Sequence, residues 1–174
     1  LARFSEAFLV LRAQQIGLTL SWIPLVMVVM SLAYALSAYP AGWLSDHINK
    51  KWLLGISLVL LIIADMALAH AISMPVLMIG VAFWGLHMGF SQGTLATLVA
   101  ETTPPQLKGT AFGLFNFVCG IFMLLASLIA GWLWEDFGAT ATFYCGAGFA
   151  FLAIILLIIA YISLPIIVSE SPSK

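Results

Sequence analysis

Charged and polar side chains are rare in this chain, and several interrupt long apolar stretches where they could bind a solute or a proton. Arg3 and Glu6 lie three residues apart near the start of the sequence. His87, Gln92 and Asn116 interrupt two later apolar stretches. A guanidinium can bind an anion, a carboxyl or an imidazole can exchange a proton, and an amide can hydrogen-bond a polar group. These five residues are the candidates for a substrate or proton site.

The composition places these residues in a membrane. Hydrophobic residues make up 63% of the chain and charged residues 7%, whereas soluble domains have roughly 45–50% and ~25%. We therefore expect an integral membrane protein of the all-α class. The formal net charge of −1 excludes the basic surface by which proteins bind nucleic acid.

Five apolar runs reach the length of about 20 residues that a helix needs to cross a bilayer. The predicted spans are residues 22–45, 51–70, 75–100, 110–133 and 141–163. Residues 1–12 predict a sixth helix, which is truncated, because at ~1.5 Å per residue it covers only half a span. The chain begins within this helix and without Met, so we expect a fragment or a processed portion of a longer protein.

Basic residues indicate the orientation of the predicted spans. If the spans alternate in direction, one side carries Lys50, Lys51, Lys108 and Lys174, and the other carries Arg12. Cytoplasmic loops are enriched in Lys and Arg. The C-terminus and the loops that carry these lysines are therefore predicted to be cytoplasmic.

Two short matches indicate an internal repeat. Residues 4–6 (Phe-Ser-Glu) are similar to residues 90–92 (Phe-Ser-Gln), and Ala-Gly-Trp-Leu occurs at 41–44 and again at 130–133. The offsets of 86 and 89 residues correspond to three helices. Because three is odd, the two units would cross the membrane in opposite directions. Inverted repeats of this kind occur in many secondary transporters, which bind substrates near the bilayer midplane.

Two motifs resemble the major facilitator superfamily. Residues 42–51 read G-W-L-S-D-H-I-N-K-K, which is similar to a loop signature of that family: a Gly, an Asp four residues on, then an Arg, a Gly and a basic pair. His47 replaces the Arg and Asn49 replaces the Gly. Residues 105–113 read P-Q-L-K-G-T-A-F-G and resemble the loop and helix start between the tenth and eleventh helices of the family.

The resemblance implies a fold and a function. Residues 1–174 would be the C-terminal six-helix half of a twelve-helix carrier whose N-terminal half is absent here, with three-helix units at 1–86 and about 87–174. Such a carrier is a permease, not an enzyme, and needs no cofactor. It would move a small solute across a bacterial inner membrane by alternating access. The residues matching the cytoplasmic gate motif would be Gly42, Asp46, His47, Lys50 and Lys51.

Arg3 and Glu6 allow two interpretations. On one helix face at a spacing of three residues they could form an inert ion pair. Alternatively, Arg3 binds an anionic group of the substrate, or Glu6 exchanges a proton. Burial favours the neutral carboxyl and a nearby Arg favours the charged form, so Glu6 could respond as the cavity opens. This hypothesis makes the proton the coupling ion.

The other polar residues of the spans also keep alternatives. His87 is either part of a proton relay or a hydrogen-bonded packing residue. Gln92 corresponds to Glu6 in the repeat, and Asn116 lies in a cavity or joins two helices. Asp65 is expected to be structural, hydrogen-bonded to a neighbouring helix. The Gly85, Gly89 and Gly93 series favours close helix packing.

Several other functions are disfavoured by the sequence. Residues 89–93 read G-F-S-Q-G, but the nucleophile elbow requires a strand-to-helix turn and a later acid and His. An ATP-binding P-loop motif and a plausible set of metal ligands are missing from the sequence. The alternative to a secondary carrier is a non-transporting membrane scaffold or a degenerate half-carrier.

Overall fold

The computed structural model describes residues 3–163, except for the side chains of residues 161 and 163. Its helices are α1 (Ala7–Gln15), α2 (Ile23–His47), α3 (Lys50–Ala69), α4 (Met74–Thr102) and α5 (Lys108–Ser163). Short 3-10 helices, Leu20–Trp22 and Pro105–Leu107, precede α2 and α5. The described residues contain no strand. The predicted all-α class is therefore confirmed.

Helix α5 is two membrane spans joined at Gly138. This glycine has φ 83° and ψ 173°, which are not helical values. Residues 130 and 142 would lie about 18 Å apart along a straight helix, yet the Thr142 hydroxyl is 3.5 Å from the Ala130 carbonyl oxygen. The arms 108–137 and 139–163 therefore fold back on each other. Among the described residues, the long apolar helices α2, α3 and α4 and these two arms supply five spans.

The predicted spans agree with the observed helices within a few residues, but the helix predicted over residues 1–12 begins only at Ala7 and ends at Gln15. Helix α1 begins at Ala7 because the preceding residues are held by other contacts. The Ser5 backbone N–H donates to the Ser127 hydroxyl at 3.1 Å, and the Ser5 hydroxyl accepts from the Ala7 N–H at 3.3 Å. Arg3 lies before the helix, so Arg3 and Glu6 do not share a helix face.

Close contacts fix the directions of the helices. Gly85 of α4 lies against Met30 of α2, and Gly89, four residues on, lies against Ser37, so these two helices are parallel. The contacts between α3 and the second arm of α5 run in the opposite order. Asp65 meets Gly146 and Gly55 meets Leu157, so these two helices are antiparallel. Helix α4 packs against both α2 and α3, and α3 packs against α5.

An aromatic cluster joins the N-terminal segment to the bundle. The ring of Phe4 lies 5.3 Å from that of Trp84 and 5.7 Å from that of Phe143. The ring of Phe8 lies 5.6 Å from that of Trp134. Phe4, Trp84 and Phe143 are almost fully buried. These contacts hold the residues before α1 at the middle of α4, and so determine where Arg3 lies.

The two ends of the bundle have the features of membrane interfaces. Trp43 and Trp52 are exposed at one end, and Trp22 and Trp132 at the other. Exposed Trp residues are typical of the two boundaries of a bilayer. At the first end, the Lys50 ammonium lies 2.8 Å from the Glu101 carboxylate. The α2–α3 and α4–α5 loops are therefore on the same side. The C-terminal tail with Lys174 lies outside the described residues.

The matching tetrads occupy similar positions in their helices, at opposite ends of the bundle. Ala41 and Ala130 are buried, whereas Trp43 and Trp132 are more than half exposed. Residues 4–6 do not match 90–92 in local structure, because the first set precedes α1 and the second lies within α4. The inverted repeat and its two units stay predictions, and the boundary at residue 86 falls inside α4.

Candidate functional site

A cavity of about 1040 Å³ lies between α2, α3, α4, α5 and the segment before α1. Small-molecule sites typically measure roughly 300–1,000 Å³, so this cavity is large enough for an organic solute. Its walls are mainly Leu, Phe and other apolar side chains. The polar side chains that interrupt them include Arg3, Tyr34, His87, Ser91, Gln92 and Asn116.

Four of the five predicted site residues line this cavity: Arg3, His87, Gln92 and Asn116. Glu6 is outside its lining. It is half-buried at the start of α1, and among the described residues its carboxylate has no hydrogen bond or ion pair. Helix α1 begins only at Ala7, so Arg3 precedes the helix and the two residues do not lie on one helix face. Whether any of these residues binds substrate or protons stays a proposal.

The ion pair considered for Arg3 and Glu6 is not formed. Within residues 3–163 the single salt bridge joins Lys50 to Glu101. The Arg3 guanidinium instead has its Nη2 atom 3.8 Å from the Met123 sulfur. A thioether is a weak acceptor, so most of the hydrogen-bonding capacity of Arg3 is unused by the described residues.

His87 is held in a defined orientation. It is 5% exposed, and its Nδ1 atom lies 2.7 Å from the Ser57 carbonyl oxygen of α3. Because a carbonyl only accepts, Nδ1 carries the hydrogen and Nε2 is the nitrogen that can bind a further proton. Nε2 has no partner among the described residues. The hydrogen bond supports the packing interpretation, and the unused nitrogen supports the proton-relay interpretation.

The two amides differ in their contacts. The Tyr34 hydroxyl lies 3.4 Å from the Gln92 Oε1 atom, which links α2 to α4 beside the cavity. Asn116 is exposed on α5, and its side chain makes no hydrogen bond within the part of the chain that the structure describes. Of the two interpretations of Asn116, its position on the lining favours the cavity over a hydrogen bond between helices.

The residues of the proposed gate motif lie together at one end of the bundle. Lys50 is paired with Glu101 and not with Asp46, which is exposed and without an ion pair in the described range. The His47 ring lies 4.4 Å from that of Trp43, and its Nδ1 atom is 2.8 Å from the Trp43 carbonyl oxygen. The gating role of the motif stays a prediction.

The other motif residues have local roles. Asn49 caps the N-terminus of α3, because its side chain accepts a hydrogen bond from the Lys51 N–H at 3.0 Å. Its φ is −57°, so the position does not need the left-handed conformation that a Gly adopts easily. Asn is a preferred residue at helix N-termini because its side chain satisfies an unpaired N–H. The surroundings of Gly42 are open, since a Cβ atom at this position would have no packing neighbour within 4 Å.

Arg12 has a structural role that sequence reasoning missed. The charge pattern places it at an exposed boundary of the membrane, but it is 9% exposed. Its guanidinium donates to the carbonyl oxygens of Leu68, Ala69 and Ala71 at 3.0–3.1 Å. The last carbonyls of a helix lack partners within the helix and favour a cation. The absence of a Gly after α3 was the available signal that another group must satisfy them.

The hydrogen bond predicted for Asp65 is not formed in the described part of the chain. It is fully buried, and neither carboxyl oxygen has a partner among the described residues. A Cβ atom at Gly146 would come within 2.7 Å of Oδ2, so the glycine leaves space for the carboxyl. An unpartnered polar group at this depth is energetically costly. Sequence reasoning failed because the neighbour of Asp65 on α5 offers no donor side chain.

Comparison with known families agrees with this architecture. The family model of the Major Facilitator Superfamily matches residues 5–174. The chain belongs to this superfamily. Members are membrane transport proteins and not enzymes, so the chain is an integral membrane protein of a carrier family. The resemblance based on residues 42–51 and 105–113 is therefore confirmed.

Two individual relatives are similar to this chain. An uncharacterized MFS-type transporter of Methanocaldococcus jannaschii is 32% identical over 164 residues, covering 91% of this chain and 41% of the relative. The quinolone resistance protein NorA of Staphylococcus aureus is 24% identical over 134 residues, covering 77% of this chain and 34% of NorA. The chain thus spans less than half the length of these curated relatives.

Proposed function

We propose that this chain forms one side of the transport path of a secondary active carrier that moves a small solute by alternating access. The observation that carries the proposal is the cavity of about 1040 Å³, in which a few polar side chains interrupt apolar walls. His87 lies near the middle of α4, the depth at which secondary transporters bind their substrates. The similarity to an MFS-type transporter supports the same function.

The cavity needs a second wall to enclose a solute. Since the matched relatives are more than twice as long as the region they share with this chain, we propose that another helical half of the same polypeptide supplies that wall. The exposed apolar residues of the first arm of α5, such as Leu114, Phe117 and Leu124, are suited to contact lipid or such a half.

A proton is the proposed coupling ion, and His87 is the group best placed to carry it. It lines the cavity and has one ring nitrogen fixed by the Ser57 carbonyl. Glu6 lies outside the lining and ranks second. Binding and release of a proton at Nε2 would change the charge of the cavity as it opens to either side.

Transport assays on the native polypeptide test both parts of the proposal. We would reconstitute it in liposomes and measure uptake of a panel of small solutes driven by an imposed pH gradient. His87→Gln is expected to abolish accumulation of the solute against its own concentration gradient. Exchange of solute at equal concentrations on the two sides should stay intact. Lys108→Gln, which removes a charge outside the cavity, is the matched control.

Each outcome has a separate meaning. If His87→Gln and wild type accumulate solute equally, His87 is not the coupling residue, and Glu6→Gln tests the second candidate. If neither exchange nor accumulation is seen for any solute, the proposed transport function is wrong. For that case, we would replace Cys145 and the cavity-lining Cys119 by Ser and introduce Gln92→Cys. If water-soluble thiol reagents do not label this variant, the result favours a scaffold.

A further inference from the structure

The charges around the cavity are one-sided. Among the described residues that line it, Arg3 is the single Lys, Arg, Asp or Glu, and His87 is the one other group that can become positive. A solute cation would meet no carboxylate on this wall, whereas an anion would meet a guanidinium.

The position of Arg3 is determined by its neighbours. Phe4 is inserted between Trp84 and Phe143, and Ser5 is hydrogen-bonded to Ser127. Adjacent residues on the chain are thus anchored, which keeps Arg3 at the cavity. Its guanidinium contacts the Met123 sulfur and no carboxylate in the described range. A planar group with five N–H donors can bind a carboxylate, sulfonate or phosphate through two parallel hydrogen bonds.

The rest of the wall indicates the body of the ligand. Phe112, Phe115 and Phe122 of α5 line the cavity together with several Leu side chains. Aromatic walls favour flat apolar groups through ring packing. The amides of Gln92 and Asn116 can satisfy neutral polar substituents. A small inorganic anion would leave most of this apolar surface uncovered.

We propose that the cavity binds amphipathic organic anions, with the acidic group on Arg3 and an aromatic or aliphatic body against the Phe and Leu side chains of α5 and α3. This inference rests on the proposed function, because it names the class of substrate for that site. The anionic group and the apolar body are both required: the first for orientation and the second for most of the contact area.

Two probes with the same aromatic body separate these contributions. We would measure binding of 8-anilinonaphthalene-1-sulfonate and of uncharged N-phenyl-1-naphthylamine to the purified native polypeptide in detergent. Arg3→Gln is expected to weaken binding of the sulfonate about tenfold or more, the size expected for a lost charge-assisted hydrogen bond. Binding of the uncharged probe should change less than about twofold, and Arg3→Lys should restore part of the sulfonate affinity.

Lys108→Gln is the matched control, since it removes the same charge from an exposed site outside the cavity. An equal loss of sulfonate binding in that variant would overturn the proposal in favour of general surface charge. Unchanged sulfonate binding in Arg3→Gln would overturn it as well. A parallel loss of both probes would show that Arg3 supports the cavity shape and does not bind the anion.

Transport of the same probes distinguishes this inference from the proposed function. If a cation such as ethidium is transported and the sulfonate is not, the carrier function stands and the anion preference is wrong. If the sulfonate binds through Arg3 but neither the sulfonate nor ethidium is transported, the anion site stands and transport is wrong.

Discussion

Two arginines near the start of the chain show how strongly surroundings determine the role of a residue. Arg3 faces a cavity with most of its donors unused. Arg12, nine residues later, is buried and donates to three backbone carbonyls at the end of α3. Residue type alone did not separate these roles, because the acceptors of Arg12 are main-chain atoms without a sequence signature.

Removing the Arg12 guanidinium should destabilise the contact between α1 and α3. Arg12→Gln leaves several buried carbonyls without a donor, and we expect a loss of about 1.5–3 kcal/mol for hydrogen bonds to a charged group. The midpoint of thermal unfolding in detergent measures it, with Arg3→Gln as the control of equal charge change. Equal midpoints for the two variants would mean that the Arg12 contacts add no net stability.

At the level of single residues, the sequence predicted most of the polar side chains that line the cavity. His87, Gln92 and Asn116 line the cavity because polar residues deep within apolar helices tend to face an interior, and helix length fixes their depth. Glu6 lies outside the lining because its position depends on where α1 begins, and tertiary contacts of Phe4 and Ser5 decide that. The surroundings of Asp65 could not be read from the sequence, since they lie on a helix about 80 residues further along.

At the scale of helices, the glycines of α4 illustrate which parts of a motif pack. A Cβ atom at Gly85 would collide with the Met30 carbonyl and lie 2.9 Å from the Ala33 side chain, and one at Gly89 would collide with the Ser37 hydroxyl. Gly93, the third member of the series, has nothing within 4 Å. The spacing predicted close packing for all three, and the structure shows it for two.

Alanine substitutions in this series should separate packing from helix propensity. We expect Gly85→Ala to destabilise the α2–α4 contact by about 1–3 kcal/mol through overpacking. Gly93→Ala should be neutral or stabilise the helix by up to about 1 kcal/mol. Thermal unfolding of both variants provides the comparison. A midpoint for Gly85→Ala at or above that of Gly93→Ala would contradict the observed α2–α4 packing.

The turn at Gly138 tests a different property of glycine. The predicted boundary between two helices at residues 133–141 is confirmed, but no loop separates them, because Gly138 alone reverses the chain at φ 83°. Gly138→Ala meets no neighbour within 4 Å, so its cost is backbone strain, about 1–3 kcal/mol. Gly131→Ala, at an equally open helical position, is the control. Equal unfolding midpoints for the two variants would show that the turn tolerates a side chain.

For the whole molecule, the five spans could be predicted because each is an apolar run of bilayer length. Their arrangement could not, since apolar side chains on all sides do not say which face meets a neighbour and which meets lipid. Contacts between distant residues supply that information, for example Gly85 with Met30 and Asp65 with Gly146. The same contacts place the ends of the helices on two opposite sides.

The distribution of charge over these two sides leads to a prediction of orientation. One end carries Lys50, Lys51 and Lys108, whereas the other carries Glu135 and Asp136. The one arginine of the second end, Arg12, is buried against α3 and does not add to its surface charge. The lysine-rich end should therefore face the cytoplasm by the positive-inside rule.

Labelling of single cysteines in intact cells tests this orientation. In a background with Cys119 and Cys145 replaced by Ser, Glu135→Cys should react with a membrane-impermeant maleimide added outside, because residue 135 is exposed beside the turn at Gly138. Ile48→Cys, exposed in the α2–α3 loop, should react only after the membrane is permeabilised. The reverse pattern would place the lysine-rich end outside, and the gate motif at residues 42–51 would then close the outer side of the transport path.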